Sequence, residues 1–327
     1  MEHRLLGTTG VGVSRLILGC GNFGGIGSSP AFFGRGTSKQ DAFALMDAAW
    51  EAGITTFDTA DAYGGGNSET FIGEWLADKD ASARDRITLT TKTYNPMAHG
   101  ADSGLSRDRM VRQIETSLGR LGVDRVALYL AHEFDSEVPI DQTMAGFDEI
   151  VRAGKVGAVG ASNFSTDQLQ RSLDASTQRG VVRYSWVQNS FSLLERGDAK
   201  DVLPLCVEQQ LGYTPFSPLA GGWLTGKYRR GATLPAGSRM TLRPEPYAPY
   251  QADGVFNALE ALERLAAEQG TSMAAMSLAW LLAQPGITAI VIGPNRVEQM
   301  TPALEAMHLT LSPDLLAHLS ELFLWPY

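Results

Sequence analysis

Cysteine is scarce. Cys20 and Cys206 are the only two in 327 residues, too few for a disulfide framework, and both lie in apolar surroundings. Long hydrophobic runs are missing as well: no apolar stretch reaches the ~18 residues that a membrane-spanning helix needs. The opening MEHRLLGTTG has no hydrophobic region followed by a small-residue cleavage site, so no leader is expected. Basic blocks are absent, and 36 acidic against 27 basic residues give a net charge of −9, which argues against a nucleic-acid partner. Histidine is also sparse. His3, His99, His132, His308 and His318 are the five; none forms an i, i+4 pair, and no metal site is expected. What remains is a globular protein of a reducing cytoplasm. Any anionic ligand would need local Lys or Arg to overcome the global field.

What is present is alternation. Short apolar runs recur at LILG (16–19), TTFD (55–58), ITLTTK (87–92), VALYLAH (126–132), VGAVGAS (156–162), YSWVQ (184–188), LGYTPF (211–216) and TAIVIG (288–293). Helical patterns fill the gaps. Met110, Ile114, Leu118 and Leu121 recur at helical spacing, as do Met144, Phe147 and Val151. Thr37 with Gln40 and Ser165 with Gln168 fit capping boxes. Eight β-then-α units with buried strands predict a closed (β/α)8 barrel in a single domain spanning residues 1–327. Residues 1–15 read as a hairpin plugging the N-terminal end of that barrel. Residues 217–254 form a long Gly- and Pro-containing connection, the kind that is usually functional. Ser312–Pro313 opens an extra C-terminal helix over 312–324.

GCGNFG (19–24) matches G-x-G-x-x-G after a strand. A dinucleotide fingerprint also needs a helix opening on the last glycine and an acidic residue about 20 positions on. GIGSSPAFFGRG follows instead, so the match reads as a flexible loop at the barrel mouth.

The strand ends carry more. Successive strands end at Asp58, Lys92, His132, Ser162–Asn163, Gln188–Asn189 and Phe216–Ser217, and Tyr63 stands five residues beyond Asp58. Each alone has an ordinary account: a turn cap, a solvated end, a satisfied core histidine. In a barrel all converge on one mouth, where active sites sit. The residue types suit protonating an oxygen. Tyrosine ionises near ~10, too high for an efficient donor at neutral pH. A lysine ammonium ~4 Å away contributes about 4 kcal/mol at an effective dielectric of ~20, enough to bring the phenol towards neutrality. Asp58 would cancel part of that effect while keeping Lys92 charged. His132 can aim a carbonyl oxygen at Tyr63. No side chain donates hydride, so a cofactor must.

With those residues in place, the chain resembles the aldo-keto reductase superfamily, in its bacterial potassium-channel β-subunit-like and aryl-alcohol-dehydrogenase-like branch. The resemblance runs over about residues 4–324 through GITTFDTADAYGGGNSETFIGEWL, ITLTTK, SLGRLGVDRVALYLAH, GKVGAVGASNFS, VQNSFSLLER, SPLAGGWLTGKY and VIGPNRVEQM. It implies an Asp58–Tyr63–Lys92–His132 tetrad with Tyr63 as general acid, and a small carbonyl substrate. It implies that Ser162, Asn163 and Gln188 hold a nicotinamide carboxamide and that Phe216 stacks on the ring. Ser217, Pro218, Leu219 and Gly221 would line the pyrophosphate. Lys227 and Arg239 would clasp phosphates, with Gly21, Asn22, Gly293, Asn295, Arg296 and Gln299 completing the nucleotide site. Asp61 has no catalytic role in the family and is expected to shape the turn through a side-chain-to-backbone bond.

The chain departs from the family at one place. Relatives commonly carry Glu-Asn after the last Gln to bind adenine, where this sequence has Pro302 and Ala303. Arg296 can still make a bidentate phosphate contact. NADPH is therefore the expected cofactor, with NADH possible. Phe23, Tyr94, Phe134, Trp223, Tyr247 and Tyr250 are candidates to line an aromatic substrate pocket. VIGP and DSGLSR resemble keto-sugar reductases, too little to choose among aldehyde, ketone and keto-sugar. Two other readings stay open. One is a nucleotide-holding sensor subunit, like the potassium-channel β-subunits, although those carry an amide at the His132 position. The other is a Schiff-base aldolase or isomerase, for which a lysine kept charged by Asp58 is poorly suited. Oligomeric state is left open.

Overall fold

In the computed structural model, which describes residues 1–324, β1 (His3–Leu5) and β2 (Gly12–Ser14) pair antiparallel as the expected hairpin. The chain then runs β3 (Leu16–Gly19), α1 (Lys39–Glu51), β4 (Thr56–Asp58), α2 (Asn67–Ala77), α3 (Ala81–Arg86), β5 (Thr88–Thr93) and α4 (Arg107–Leu121). It continues through β6 (Val126–Ala131), α5 (Ile140–Arg152), β7 (Val156–Ser162), α6 (Thr166–Arg179), β8 (Trp186–Gln188), α7 (Val202–Glu208) and β9 (Gly212–Tyr213). The last part holds α8 (Arg239–Leu242), α9 (Asp253–Glu268), α10 (Met273–Leu282), β10 (Ile290–Ile292), α11 (Thr301–Ala306) and α12 (Pro313–Leu322).

Among the described residues, β3 to β10 form one eight-stranded parallel sheet in the order β10-β3-β4-β5-β6-β7-β8-β9. Two hydrogen bonds close it into a (β/α)8 barrel: Thr288 N to Tyr213 O at 2.9 Å and Val291 N to Pro215 O at 2.9 Å. Buried Arg15, just before β3, also ties the ends. Its guanidinium donates to the carbonyls of Ile287 (2.7 Å), Thr288 (2.5 Å) and Leu282 (2.5 Å).

Strand side chains alternate between two cores, as a period of two requires. On β6, Leu128 and Leu130 point into the barrel, while Tyr129 and Ala131 pack under the helices. Leu6 in the hairpin turn and Val13 on β2 join the inner cluster with Ile17, Ala158, Trp186 and Val291, so the hairpin does plug the barrel.

Helix boundaries follow local signals. On α4 the predicted Met110, Ile114, Leu118 and Leu121 are all buried, and Gly122 ends the helix at φ 67°. The Ser165–Gln168 capping box forms in full. The expected Thr37–Gln40 box does not. Thr37 is tied by its backbone to the preceding loop, through Thr37 N to Asn22 O at 2.6 Å and Gly24 N to Thr37 O at 3.0 Å. Ser38 therefore caps α1, accepting from Asp41 N at 3.2 Å. Ser312 caps α12 by accepting from Leu315 N at 3.2 Å. The 217–254 connection is built from α8 and two short 3-10 turns, Ala220–Thr225 and Ala248–Tyr250. No helix among the described residues is long and apolar enough to cross a membrane.

Candidate active site

The β4 end is set by its register on β5, which places Asp58 opposite Thr90. Beyond it the chain stays pinned to the same strand by Thr59 N to Thr90 O and Asp61 N to Lys92 O, both 3.0 Å. A tight turn at Tyr63–Gly66 follows. Gly64 there has φ 58°, and a Cβ would lie 2.5 Å from Phe23 O, so only glycine fits that backbone and that approach.

Inside the barrel the Lys92 side chain is 0% exposed and the Asp58 side chain 4%. The ammonium donates to Asp58 Oδ2 at 2.6 Å, to Thr59 O at 2.9 Å and to Tyr63 Oη at 3.3 Å. All three of its hydrogens are therefore used. Asp58 Oδ1 accepts from Thr90 Oγ1 at 2.6 Å and from Gln188 Nε2 at 3.1 Å. His132, from the end of β6, lies edge-on to Tyr63 with ring centroids 5.5 Å apart. Asp58, Tyr63, Lys92 and His132 thus stand together, as the strand ends suggested.

Electrostatics corrects one expectation. Burial raises the Tyr63 phenol, and the nearby Asp58 charge adds to it; together they outweigh the lowering effect of Lys92. A count of neighbouring charges along the sequence leaves out the loss of water around the phenol. Burial also works against the Lys92 ammonium, yet Asp58 and Tyr63 hold its pKa above the ordinary lysine value. Burial, then Lys92, pushes His132 well below the usual imidazole range, so the ring is neutral.

A second polar layer backs this one. Thr91 and Thr93 flank Lys92 on β5 and point outward. Thr91 Oγ1 donates to Glu69 Oε1 at 2.6 Å, and Thr93 Oγ1 to Asp61 Oδ2 at 2.8 Å. Asp61 therefore reaches well beyond its own turn: Gln113 Nε2 also donates to it at 3.2 Å, and Arg109 stands 3.9 Å away. Burial, then the Glu69 charge, pushes Asp61 up to about 7.

The strand-end amides also converge. Ser162 Oγ donates to Gln188 O at 2.7 Å, and Asn163 Nδ2 donates to His132 O at 3.0 Å. Asn163 sits at φ 60°, a conformation that asparagine tolerates better than most side chains.

The sequence pattern of the Aldo/keto reductase family matches residues 15–323. The chain belongs to this family. It is 36% identical, over 100% of its length and 97% of the relative's, to an uncharacterized oxidoreductase, YrpG, of Bacillus subtilis (strain 168). It is 30% identical to the L-glyceraldehyde 3-phosphate reductase of Escherichia coli (strain K12), over 98% of this chain and 92% of that one. A probable voltage-gated potassium channel subunit beta of Oryza sativa subsp. japonica is 28% identical over 94% of this chain and 91% of its own.

In this aldo/keto reductase the remaining candidates form two groups. Asn22 joins three loops: its Oδ1 accepts from Arg239 at 2.5 Å and its Nδ2 donates to Asn295 Oδ1 at 2.7 Å. Asn295 N in turn donates to Gln299 Oε1 at 2.8 Å. Lys227 reaches over Gly222, and burial, then Arg239, lowers its ammonium. Arg296 and Gly293 are exposed at the same rim. In the other group Phe216 is half-buried against the inner barrel cluster. Ser217 (φ 52°) and Gly221 (φ 63°) lie under Tyr247, whose hydroxyl is 3.3 Å from Ser217 Oγ. Pro218 is buried beside a half-buried Leu219, and Gly21 lies against the Tyr63 ring.

Tyr94 and Phe134 are half-buried near the β5 and β6 ends. Phe23 and Trp223 are corrections. Both are 0% exposed. Trp223 packs among Tyr228, Tyr250 and Phe256, and Phe23 lies in the outer core, so neither offers surface to a ligand. Thr90 was missed by sequence reasoning, although its spacing of two from Lys92 on one strand face was a usable signal. Glu69 and Arg109 carried no signal, because only packing brings them behind the site.

Proposed function

We propose that this aldo/keto reductase reduces an aldehyde or ketone to an alcohol with NADPH, Tyr63 acting as general acid. The observation that carries the reading is the buried Lys92 ammonium, shared between Asp58 and the Tyr63 hydroxyl. NADPH, when bound, supplies hydride to the carbonyl carbon. Tyr63 holds the proton that the carbonyl oxygen needs. Its raised pKa keeps it protonated across the neutral range, and Lys92 is in place to stabilise the phenolate left behind. Asp58 keeps Lys92 charged. Neutral His132 can donate one hydrogen bond to the same oxygen, aligning it with Tyr63.

The donor set fits the cofactor. Ser162, Asn163 and Gln188 would hold the carboxamide, and Phe216 the nicotinamide ring. Ser217 and Gly221, at positive φ, and Pro218 and Leu219 between them would line a pyrophosphate, with Gly21 and Gly293 leaving room at the rim. Lys227, Arg239, Asn22, Asn295, Gln299 and Arg296 supply cations and amides for phosphate in an otherwise acidic chain. Pro302 opens α11 and Ala303 is buried, so adenine is not gripped by an acid–amide pair at these positions. The alternative, a nucleotide-holding subunit with little turnover, draws on the likeness to potassium channel β-subunits.

The test is turnover of 4-nitrobenzaldehyde and a broad carbonyl panel under NADPH recycling. Tyr63→Phe should still bind NADPH and lose roughly 10²–10⁴ in turnover, the usual worth of general-acid catalysis. Near wild-type turnover, with chemistry limiting, would remove Tyr63 from the mechanism. If no carbonyl gives more than one turnover while NADPH binds tightly, the sensor reading replaces this one.

A further inference from the structure

Glu133 directly follows His132 at the mouth, and the proton-transfer reading gives it no work. Its Oε1 accepts from Asn163 Nδ2 at 3.2 Å, the same amide that donates to the His132 carbonyl at 3.0 Å. The carboxylate is therefore tied to the amide that follows β7, one residue along the chain from the ring proposed to meet the substrate oxygen. No cation offsets it: burial alone pushes its carboxyl up to about 7. Its Oε2 has no hydrogen-bond partner among the described residues.

A second carboxylate stands on this wall, with the buried cations Lys92 and Arg109 behind it, Lys92 acting on His132 and Arg109 donating to Gly104 O at 3.0 Å. Asp135 is 7% exposed and held by Leu105 N at 2.7 Å and Glu137 N at 2.9 Å, so its charge is fixed in place. Tyr94 shares this wall: burial raises its phenol, and Asp135 and then Glu133 raise it further. The cations Lys227 and Arg239 stand elsewhere, over Gly222 and Asn22. Acidic residues alone would not define a ligand site. Here Glu133 is the chain neighbour of His132, which is itself 8% exposed with an unpartnered Nδ1.

We propose that Glu133 sets substrate choice by charge, admitting neutral hydroxylated or cationic carbonyl compounds and rejecting anionic ones such as phosphorylated or carboxylated aldehydes. The inference rests on the carbonyl-reduction reading of the same mouth. A free carboxylate oxygen accepts hydrogen bonds from substrate hydroxyls. The same oxygen repels a like charge brought into a partly dewatered mouth, and at an effective dielectric near 20–40 that repulsion is worth roughly tenfold in affinity.

Three aldehydes of similar size test this at pH 8.5, where Glu133 is ionised: 4-carboxybenzaldehyde, 4-nitrobenzaldehyde and 4-(trimethylammonio)benzaldehyde. Wild type should show kcat/KM for the anion roughly tenfold or more below the neutral probe. Glu133→Gln keeps an acceptor for Asn163 and should raise the anion-to-neutral ratio roughly five- to tenfold while lowering the cation-to-neutral ratio. Unchanged ratios in Glu133→Gln, or a wild-type preference for the anion, would overturn the proposal. If wild type turns over none of the three, the reductase reading goes to the broad carbonyl panel, and the Glu133 assignment is decided separately. The affinities of NADP+-loaded protein for the three corresponding benzyl alcohols, read by fluorescence quenching, should then shift by the same ratios in Glu133→Gln; equal shifts for all three would overturn it.

Discussion

Replacing Lys92 by Met removes a charge from a place that water does not reach. Asp58 keeps its bonds from Thr90 and Gln188 but loses the one ion-pair partner it has among the described residues. It must then stay charged in the barrel or take up a proton. A carboxyl of the unfolded chain ionises near ~3.9, so holding it protonated at pH 7 costs about 4 kcal/mol, at about 1.36 kcal/mol per pH unit. That ceiling agrees with the roughly 3–5 kcal/mol typical of breaking a buried pair. The sign follows from proton counting. In the variant the folded form holds a proton that the unfolded form has released, so stability falls as pH rises above ~3.9. The penalty should be about 1.5 kcal/mol at pH 5 and about 4 kcal/mol at pH 7. Asp58→Asn should show the opposite slope. A stranded Lys92 sheds its proton, at a cost of up to about 4.6 kcal/mol at pH 7 that shrinks as pH rises towards ~10.4. Asp58→Asn combined with Lys92→Met leaves no stranded charge and should cost less than the two singles together. Urea unfolding of the nucleotide-free protein at pH 5, 6, 7 and 8 reads all three. A penalty flat across that range in both single variants would mean that the survivors keep their charge with water, and the argument from a dry pair would be refuted.

Other outcomes are equally specific. Arg239→Ala removes a phosphate candidate and also releases Asn22; NADPH affinity should drop by roughly tenfold or more, the worth of one charge-assisted bond, in fluorescence titration, and an unchanged dissociation constant would place the phosphates elsewhere. Arg296→Ala should narrow the gap between NADPH and NADH while leaving NADH affinity in place; an unaltered preference would move the 2′-phosphate contact to another residue. Gly73→Ala on α2 would put a Cβ 2.1 Å from Arg120 O on α4, so the two helices must part, and we expect a loss of about 1–3 kcal/mol in urea melts. A neutral Gly73→Ala would show that the α2–α4 contact yields freely.

The barrel and its mouth were legible because their signals are local. Each strand is a short apolar run, each helix a repeat of Met110–Ile114–Leu118 type, and each polar residue ending a strand lands at one rim by topology alone. Signals that depend on neighbours distant in sequence were not legible. The pKa of Tyr63 is a sum over everything that excludes water from its ring, so counting Lys92 and Asp58 gave the wrong direction. Trp223 and Phe23 are aromatic residues near the right loops, but whether a ring lines a pocket or fills a core is decided by packing partners such as Tyr228 and Phe256. Thr37 satisfies the capping pattern as well as Ser38 does; its backbone was already committed to the Asn22 loop, which no pattern within the helix reveals.

Barrel closure has a consequence for how the protein is made. Strand β3 pairs with β10, and the carbonyls that receive the Arg15 guanidinium lie 267, 272 and 273 residues further along. A ribosome adding ~5–20 residues per second needs roughly a quarter of a minute to a minute to supply them. Throughout that interval the first barrel strand has an open edge, and a buried-type cation waits for acceptors not yet synthesised. The nascent chain can stack its early βα units but cannot seal them. Sealing is therefore a late event of synthesis, and a chain stalled after α10 would carry the sticky edge that the finished barrel abolishes.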